Sequence, residues 1–336
     1  MKDYFIKIVH SELSRRTIDE IIANLATLRD KAEISTDDIY NAVTRVLAQY
    51  TIGVSYSSYT LPDIFAEYLK KPQQRKAGVP YGAMLKYIDG FYPGDYWIIG
   101  ARPSMGKTTL SFDLAFRLAS SSIPSYYLSL EMNRYALLER AIARIERCSI
   151  GELRTTKKKE ELASILHDKL NVPLYISDTT LLSAETLELP FIDASIKECS
   201  IIFIDYIQLL HSSHKTKERY IEIAAISSQL KELAKRYNMT VVALSQLNRL
   251  SEHRADKRPI LADLRESGSL EQDADVVILL HRPDKYGITS YEDGRSTANT
   301  VNVIVAKNRQ GETGDFILHY DPQYFSVNSY VELQSW

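Results

Sequence analysis

The chain has few cysteines and no long apolar run. Only Cys148 and Cys199 occur among its 336 residues, and no histidine or cysteine lies near either of them at the spacing of metal ligands. Neither a disulfide framework nor a zinc site is indicated, and a reducing compartment is expected. No stretch approaches the roughly 18 consecutive apolar residues of a membrane span, and the first residues lack a signal-peptide core. These absences predict a cytoplasmic protein that does not enter a membrane.

The chain also lacks an excess of charge of either sign. Its 41 Lys and Arg residues against 43 Asp and Glu give a formal net charge of −2. Any contact with nucleic acid must therefore come from a local group of basic residues. The apolar fraction of 45% and the charged fraction of 25% are those of a folded protein. The length allows one large α/β domain with an appendage, or two modest domains.

The N-terminal part of the sequence contains two amphipathic helix patterns. Isoleucine and leucine recur at helical intervals in residues 11–30, and a second pattern follows closely. The periodicity ends in residues 51–60, which predicts a helical segment in 1–58 and a main domain in 59–336. Two helices cannot bury a core of useful size, so we expect them to pack on the main domain or on another copy of the chain.

From about residue 80 onward, short apolar runs alternate with helical patterns. This alternation predicts an open, mostly parallel sheet with helices on both faces, in which ligands bind beyond the carboxyl ends of the strands. A polar loop is expected in residues 283–299. The candidate strands are Tyr96–Ile99, Ser125–Leu130, Val172–Ser177, Ile201–Asp205, Thr240–Leu244, Val276–Leu280 and Val303–Ala306.

The most informative segment is a glycine-containing loop between the first candidate strand and a helical pattern. It ends in Met-Gly-Lys-Thr, and its strand-loop-helix context is that of a phosphate-binding loop. Backbone N–H groups at the start of the helix would face an anion. Lys107 would reach the terminal phosphates of a nucleotide, and the Thr108 hydroxyl would ligate magnesium. The pattern asks for glycine at the position of Ala101. The predicted nucleotide-binding residues are Ser104, Met105, Gly106, Lys107, Thr108 and Thr109.

Three further candidate strands end in polar side chains that would lie near this loop. Asp205 follows four apolar residues and is the predicted partner of Thr108 at magnesium, an ion that accepts few direct protein ligands. Glu131 is the candidate general base that would orient and deprotonate an attacking water; the same residue could equally cap the next helix. Gln246 could sense the terminal phosphate, because an amide both donates and accepts hydrogen bonds.

Two groups of basic residues lie outside the loop. Lys307 and Arg309 follow a strand in a chain whose loop already has its lysine. They therefore suggest cations that act on a neighbouring subunit's nucleotide, as an arginine finger does; the alternative is a surface pair in a turn. The second group could hold DNA phosphates without reading sequence, or it could belong to a solvated loop. It consists of Arg249, Arg254, Lys257, Arg258 and Arg265.

Together these residues closely resemble the ATPase domain of the DnaB-type replicative helicases, which are hexameric motors with a RecA-like fold. The matching segments follow one another in order between about residues 78 and 314. The family's loop commonly begins with alanine, which accounts for Ala101. The segments are Gly78–Gly82, Phe91–Asp95, Ala101–Thr108, Ser129–Met132, Ile204–Leu209, Ala243–Arg249, Asp263–Asp275 and Ala306–Arg309.

The resemblance implies a RecA-like P-loop NTPase that uses ATP and Mg²⁺. Such a protein moves along single-stranded DNA through the centre of a homo-hexameric ring and unwinds the duplex ahead during DNA replication. The resemblance also implies that Glu131 is the catalytic base and that Lys307 and Arg309 act across the subunit interface. The residues implied to contact the DNA backbone in the pore are Arg265, Glu266 and Gly268.

Partners and subunit contacts follow from the same resemblance. Primase and a helicase loader are the implied protein partners, and the first amphipathic helix resembles the linker helix that docks on the adjacent subunit. The chain begins almost at this linker, so we expect the family's N-terminal collar domain to be mostly absent, in a natural short form or an excised fragment. Two alternatives stay open. A RecA-like recombinase would form an open filament, and a loader-type ATPase would switch without unwinding, although Glu131 and Arg309 together count against a mere switch.

Overall fold

The structure is a computed structural model of the chain. It describes residues 60–62, 77–155, 166–179, 182–211, 219–254, 256–264 and 268–330. The chain divides into two compact units, Met1–Pro72 and Gln73–Trp336. The predicted helices of residues 1–58 and their boundary with the main domain lie outside the described residues, as do Arg265 and Glu266.

A mostly parallel sheet forms the centre of the second unit. Its strands are β1 (Tyr96–Ala101), β2 (Ser125–Ser129), β3 (Leu174–Ser177), β4 (Ile201–Asp205), β5 (Thr240–Gln246), β6 (Val276–His281), β7 (Thr300–Asn308), β8 (Gly314–Asp321) and β9 (Ser326–Ser329). Among the described residues they are ordered β3-β2-β4-β5-β1-β6-β7-β8-β9. The first six strands in this order are parallel, and the last three are added antiparallel. The seven predicted strands and the mostly parallel sheet are confirmed, whereas β8 and β9 were not predicted.

Helices connect the parallel strands. They are α1 (Lys107–Ser120), α2 (Arg134–Glu146), α3 (Ile150–Leu153), α4 (Leu166–Leu170), α5 (Glu188–Ile196), α6 (Arg219–Arg236) and α7 (Gly268–Asp273). Short 3-10 helices occur at Gly82–Lys86, Ala184–Thr186, Ile207–Leu209, Arg249–His253, Leu261–Leu264 and Pro283–Tyr286. The last of these lies in the segment predicted as a plain polar loop. Among the described residues, no helix combines the length and the apolarity that crossing a membrane requires.

Both faces of the sheet carry a hydrophobic core. Alternate residues of β1 point to opposite faces, so that Trp97 and Ile99 pack with Leu114 of α1, whereas Ile98 packs with Leu230 of α6. The central strands are unbroken apolar runs because a parallel sheet covered on both sides needs apolar residues at every position. Burial of each large side chain contributes about 1.5–3 kcal/mol to folding.

The strand directions divide the polar residues between two edges of the sheet. Ala101 pairs with Gln246, and Ser129 pairs with Asp205, so the carboxyl ends of β1, β5, β2 and β4 meet at one edge. Strand β7 runs the other way, and its Lys307 pairs with Val277 near the start of β6. The end of β7 therefore lies at the opposite edge.

Candidate active site

The predicted phosphate-binding loop has the backbone of an anion-binding turn. Ser104 and Gly106 have φ of 64° and 95°, and the carbonyl of Gly106 accepts the first helical hydrogen bond, from Leu110 N at 2.8 Å. Left-handed residues that alternate with right-handed ones form the concave N–H nests that bind phosphates. Helix α1 starts at Lys107 and has 14 residues, so the positive end of its dipole faces the same place.

The structure explains why alanine is accepted at position 101, where the loop pattern asks for glycine. Ala101 is the last residue of β1 and is buried, so this position belongs to the sheet rather than to the loop. A side chain at the neighbouring Gly100 would displace core residues, because an added Cβ would lie 2.9 Å from the side chains of Leu247 and Leu279. The loop proper therefore needs its glycine only at Gly106.

A tyrosine that sequence reasoning missed packs against the loop. An added Cβ on Gly106 would lie 2.6 Å from the Tyr320 ring, and the Tyr320 hydroxyl lies 3.4 Å from Thr109 Oγ1. The guanidinium of Arg282 lies over the same ring, 4.2 Å from its centroid. Because Tyr320 comes from β8, no local signal in the sequence could connect it with the loop.

Lys107 lies in a partly desolvated position beside two carboxylates. Its Nζ is 4.1 Å from the centroid of the Tyr206 ring, a distance at which the ring face attracts a cation. Burial lowers the pKa of Lys107, while the charges of Asp205 and Glu131 act in the opposite direction. Tyr206 directly follows Asp205 in the sequence and was not assigned a role there.

Asp205 is fully buried, and the structure shows a hydrogen-bond donor to only one of its two oxygens within the described ranges. Its Oδ2 accepts a hydrogen bond of 3.1 Å from the Tyr127 hydroxyl, which also lies 2.9 Å from Ser111 Oγ. Burial raises the pKa of Asp205, and Lys107 and hydrogen bonds from Thr108 and Tyr127 partly offset this. Its Oδ1 has no hydrogen-bond partner among the described residues. A buried unpaired acceptor costs about 1–3 kcal/mol, so this oxygen fits a magnesium ligand or a ligand of its water shell.

Glu131 lies just beyond the end of β2 with an exposed side chain. The cap of α2 is Asn133, whose side chain accepts a hydrogen bond from Ala136 N at 2.9 Å. Glu131 is therefore not needed to cap that helix. Burial raises the pKa of Asp205, and the charge of Glu131 acts in the same direction. Because Ser129 at the end of β2 pairs with Asp205, Glu131 follows its strand at the same edge of the sheet as the magnesium candidates.

Gln246 ends β5 directly beside the start of the loop, and its side chain is exposed. Its backbone is fixed by Gln208, which accepts from Gln246 N at 3.2 Å and donates to Gln246 O at 3.2 Å and to Ser245 Oγ at 2.9 Å. Gln208 was not assigned a function from the sequence, although it lies in one of the segments that resemble the family. It holds the end of β5 and so sets the position from which Gln246 can reach a phosphate.

The basic residues that follow β5 do not form a group of unpaired cations. Three of the five predicted phosphate-binding cations contact acceptors of the protein itself: Arg254 binds Asp263, Lys257 binds the Glu252 carbonyl, and Arg258 lies 3.4 Å from Asp315. This pairing favours the solvated-loop alternative for these three residues. Among the three predicted DNA contacts, only Gly268 is described; it begins α7, is exposed, and an added Cβ would meet no atom within 4 Å.

The two C-terminal cations lie far from the loop of their own chain. Lys307 Nζ donates to Glu271 O at 2.5 Å, and Arg309 donates from NH1 to Asp275 Oδ1 at 3.1 Å and from NH2 to Gln272 O at 2.6 Å. All these partners precede β6, at the edge opposite the loop. Because β1 spans six residues, the two edges are separated by roughly 16 Å. The structure thus brings together Lys107, Thr108, Glu131, Asp205 and Gln246, and it leaves Lys307 and Arg309 apart from them.

Comparison with known proteins identifies the family. The model of the DnaB-like helicase C terminal domain matches residues 79–329. The chain belongs to the DnaB-like helicase family. It is 31% identical over 362 residues to the replicative DNA helicase DnaB of Helicobacter pylori, a match that covers 93% of this chain and 74% of that protein. It is 33% identical over 329 residues to the corresponding helicase of Leifsonia xyli subsp. xyli, with coverages of 92% and 70%.

Solved structures agree with the sequence matches. A DnaB-like replicative helicase, described with its interactions with primase, superposes with a TM-score of 0.75 at 28% identity and covers 94% of this chain and 75% of its own. A second solved structure, of an isolated ATPase domain, gives a TM-score of 0.71 at 29% identity and covers 82% of this chain and all of its own. The predicted resemblance and the RecA-like fold are confirmed, and the chain is an ATP-hydrolysing replicative DNA helicase. The recombinase and loader-type alternatives are not favoured.

Proposed function

We propose that this helicase works as a homo-hexameric ring around single-stranded DNA, in which each ATP is bound by one subunit and completed by cations of the next. The observation that carries the proposal is the separation of roughly 16 Å between the loop edge and the edge of Lys307 and Arg309. Cations at that distance cannot touch a nucleotide held by Lys107 of the same chain. A neighbouring subunit can supply them, as arginine fingers do in related motors.

Within one subunit, the residues at the loop edge have separate roles in the proposal. Lys107 holds the terminal phosphates, and Glu131 orients and deprotonates the attacking water. Gln246 contacts the terminal phosphate and responds to its loss. Thr108 and Asp205 would hold Mg²⁺, a role supported by the buried Asp205 Oδ1, which has no hydrogen-bond partner in the described part of the chain. When bound there, the ion would supply positive charge that offsets the negative charge of the phosphates.

The DNA and protein partners belong to the proposal as well. Arg265, Glu266 and Gly268 contact the DNA backbone in the pore, and Gly268 is exposed at the start of α7. Residues 1–58, for which the sequence predicts two helices, are proposed as the linker that docks on the adjacent subunit. Primase is a proposed partner because the solved helicase that matches 94% of this chain is described with its interactions with primase. A helicase loader and a cytoplasmic site of action complete the proposal.

The first experiment separates nucleotide binding from turnover. We expect Lys107→Ala to abolish binding of a fluorescent ATP analogue, because the loop loses the ammonium that holds the terminal phosphates. Glu131→Gln should bind normally and hydrolyse ATP more slowly by a factor of roughly 10² to 10⁴, the usual contribution of a general base. Lys235→Ala and Glu198→Gln change exposed residues of the same types that precede β5 and β4, at the edge opposite the loop, and serve as controls. Full hydrolysis by Glu131→Gln would remove the proposed base.

The second experiment tests the ring. Electron microscopy with a non-hydrolysable ATP analogue and single-stranded DNA should show closed six-membered rings around the strand. Strand separation should be lost in Glu131→Gln although its rings still form. Open filaments, or isolated subunits that hydrolyse ATP at full rate, would contradict the proposal.

A further inference from the structure

Asp275 binds Arg309 at two places, the backbone N–H and the guanidinium. Arg309 N donates to Asp275 O at 2.9 Å, and Arg309 NH1 donates to Asp275 Oδ1 at 3.1 Å. The second guanidinium nitrogen donates to the carbonyl of Gln272 at the end of α7. Two fixed points at opposite ends of a long side chain restrict its rotamers far more than either point would alone.

Asp275 is itself fixed by the sheet and by a helix. Its N–H donates to Tyr96 O at 2.8 Å, and its Oδ2 accepts from Tyr96 N at 2.7 Å and from Lys231 Nζ of α6 at 2.5 Å. The side chain is 8% exposed. Because Oδ2 is occupied by these donors, Oδ1 is the oxygen that remains for Arg309.

The contacts of Arg309 leave part of its guanidinium available. A guanidinium has five N–H donors. The contacts with Asp275 and Gln272 use one donor on each of two nitrogens, NH1 and NH2. The side chain is 49% exposed, so donors that these contacts do not use are accessible to solvent. An arginine held on one side and open on the other is suited to meet a phosphate that a neighbouring subunit presents.

We propose that Asp275 is a positioning residue for hydrolysis on the neighbouring subunit, because its carboxylate and carbonyl orient Arg309 towards that subunit's ATP. The proposal rests on the proposed action of Arg309 across the interface. In this role Asp275 acts on the reaction only through the Arg309 guanidinium and makes no contact of its own with the nucleotide. The opposite role would be an inhibitory ion pair, in which Asp275 holds Arg309 away from the ATP. Loss of an inhibitory ion pair would speed hydrolysis, whereas loss of a positioning one slows it.

A double-mutant cycle tests the proposal. The kcat and KM for ATP are measured in the presence of single-stranded DNA for the wild type, Asp275→Asn, Arg309→Ala and the double variant. We expect Arg309→Ala to lower kcat by about 10³ or more. Asp275→Asn should lower kcat roughly two- to tenfold with KM unchanged, the factor that corresponds to the regained freedom of one long side chain. In the Arg309→Ala background, Asp275→Asn should have no further effect on kcat.

Lys231→Met is the matched control for a merely structural role. Lys231 pairs with the same carboxylate from the other side, so its loss also removes an ion pair of Asp275 but leaves the Arg309 contact. We expect Lys231→Met to lower the melting temperature and to keep kcat near the wild-type value. If Asp275→Asn does not assemble, Asp275→Glu keeps the charge, shifts the carboxylate by about one bond, and is expected to lower kcat in the same way.

The outcomes separate this inference from the proposed function. An unchanged or increased kcat in Asp275→Asn, or an equal loss with and without Arg309, overturns the positioning role while the neighbouring-subunit mechanism stands. A loss of kcat in Lys231→Met as large as that in Asp275→Asn also overturns it. Full kcat in Arg309→Ala would show that the arginine does not act on ATP, and it would remove both proposals together.

Discussion

Mixing two inactive variants gives a quantitative test of the proposed composite site, in which one subunit binds ATP and the next subunit supplies Lys307 and Arg309. Lys107→Ala removes nucleotide binding from its own subunit but keeps the cations that it offers to a neighbour. Arg309→Ala keeps the nucleotide site but offers an incomplete set of cations. Because the two edges of the sheet are roughly 16 Å apart, neither subunit alone can form a complete site. A complete site arises only where the nucleotide site of an Arg309→Ala subunit faces the cations of a Lys107→Ala subunit.

The expected recovery follows from counting interfaces in a ring with identical contacts. After random exchange at equal amounts, about one half of the nucleotide sites are intact and about one half of these face an intact arginine, so about one quarter of the interfaces are complete. We therefore expect ATP hydrolysis at about a quarter of the wild-type rate, whereas each variant alone has lost a factor of about 10³ or more. The rate should be highest at equal amounts and should fall towards either pure variant.

The assay is steady-state ATP hydrolysis with single-stranded DNA, measured as a function of the mixing ratio. Exchange of subunits is checked independently by energy transfer between labelled chains. Wild type mixed with Lys235→Ala should keep full activity at every ratio and controls for the exchange procedure. If exchange is complete and no ratio recovers activity, Arg309 acts on the nucleotide of its own subunit, and the separation of the two edges has been misinterpreted.

Two further predictions follow from the geometry of single residues. Gly106→Ala should weaken binding of an ATP analogue at least tenfold, because the new Cβ would lie 2.6 Å from Tyr320 at a φ of +95° and a left-handed conformation alone costs about 1–2 kcal/mol; Gly82→Ala, which meets no atom within 4 Å, is the control in the same titration. Burial and the neighbouring Asp275 raise the pKa of Asp95 to about 6, because the folded protein favours the protonated carboxyl group. The stability that this proton contributes is complete below the pKa of the unfolded chain and is lost as the pH rises through 6. Asp95→Asn should therefore raise the free energy of unfolding, by roughly 1 kcal/mol more at pH 8 than at pH 5, and equal gains in urea titrations at both pH values would contradict the assignment.

The sequence predicts the loop edge of the site well because the signals there are local. An apolar run followed by a glycine loop and a helical pattern defines the place of Lys107, and each strand-end residue follows its own apolar run. A parallel sheet then brings these ends together without further information. Asp205 and Gln246 are found in this way although the chain between them contains the whole of α6.

The sequence does not predict contacts that depend on the antiparallel strands. Nothing near Tyr320 indicates that β8 places its ring against Gly106. The position of Arg309 could also not be derived, because a cation after a strand lies at either edge according to the direction of that strand. Only the pairing of β7 with β6 decides that Lys307 lies beside Val277, at the edge away from the loop.

Strand β1 connects the two halves of the proposed composite site. Its first residue, Tyr96, binds the carboxylate that holds Arg309, and its last residue, Ala101, is followed directly by the phosphate-binding loop. All six residues of the strand are buried, and it pairs with β5 on one side and β6 on the other. A strand held in this way changes its length very little, since packed cores resist small deformations. The spacing between the cations that a subunit offers and the nucleotide that it binds is therefore fixed within each subunit. Under the proposed function, hydrolysis is then converted into movement at the interfaces between subunits, where the composite site opens and closes.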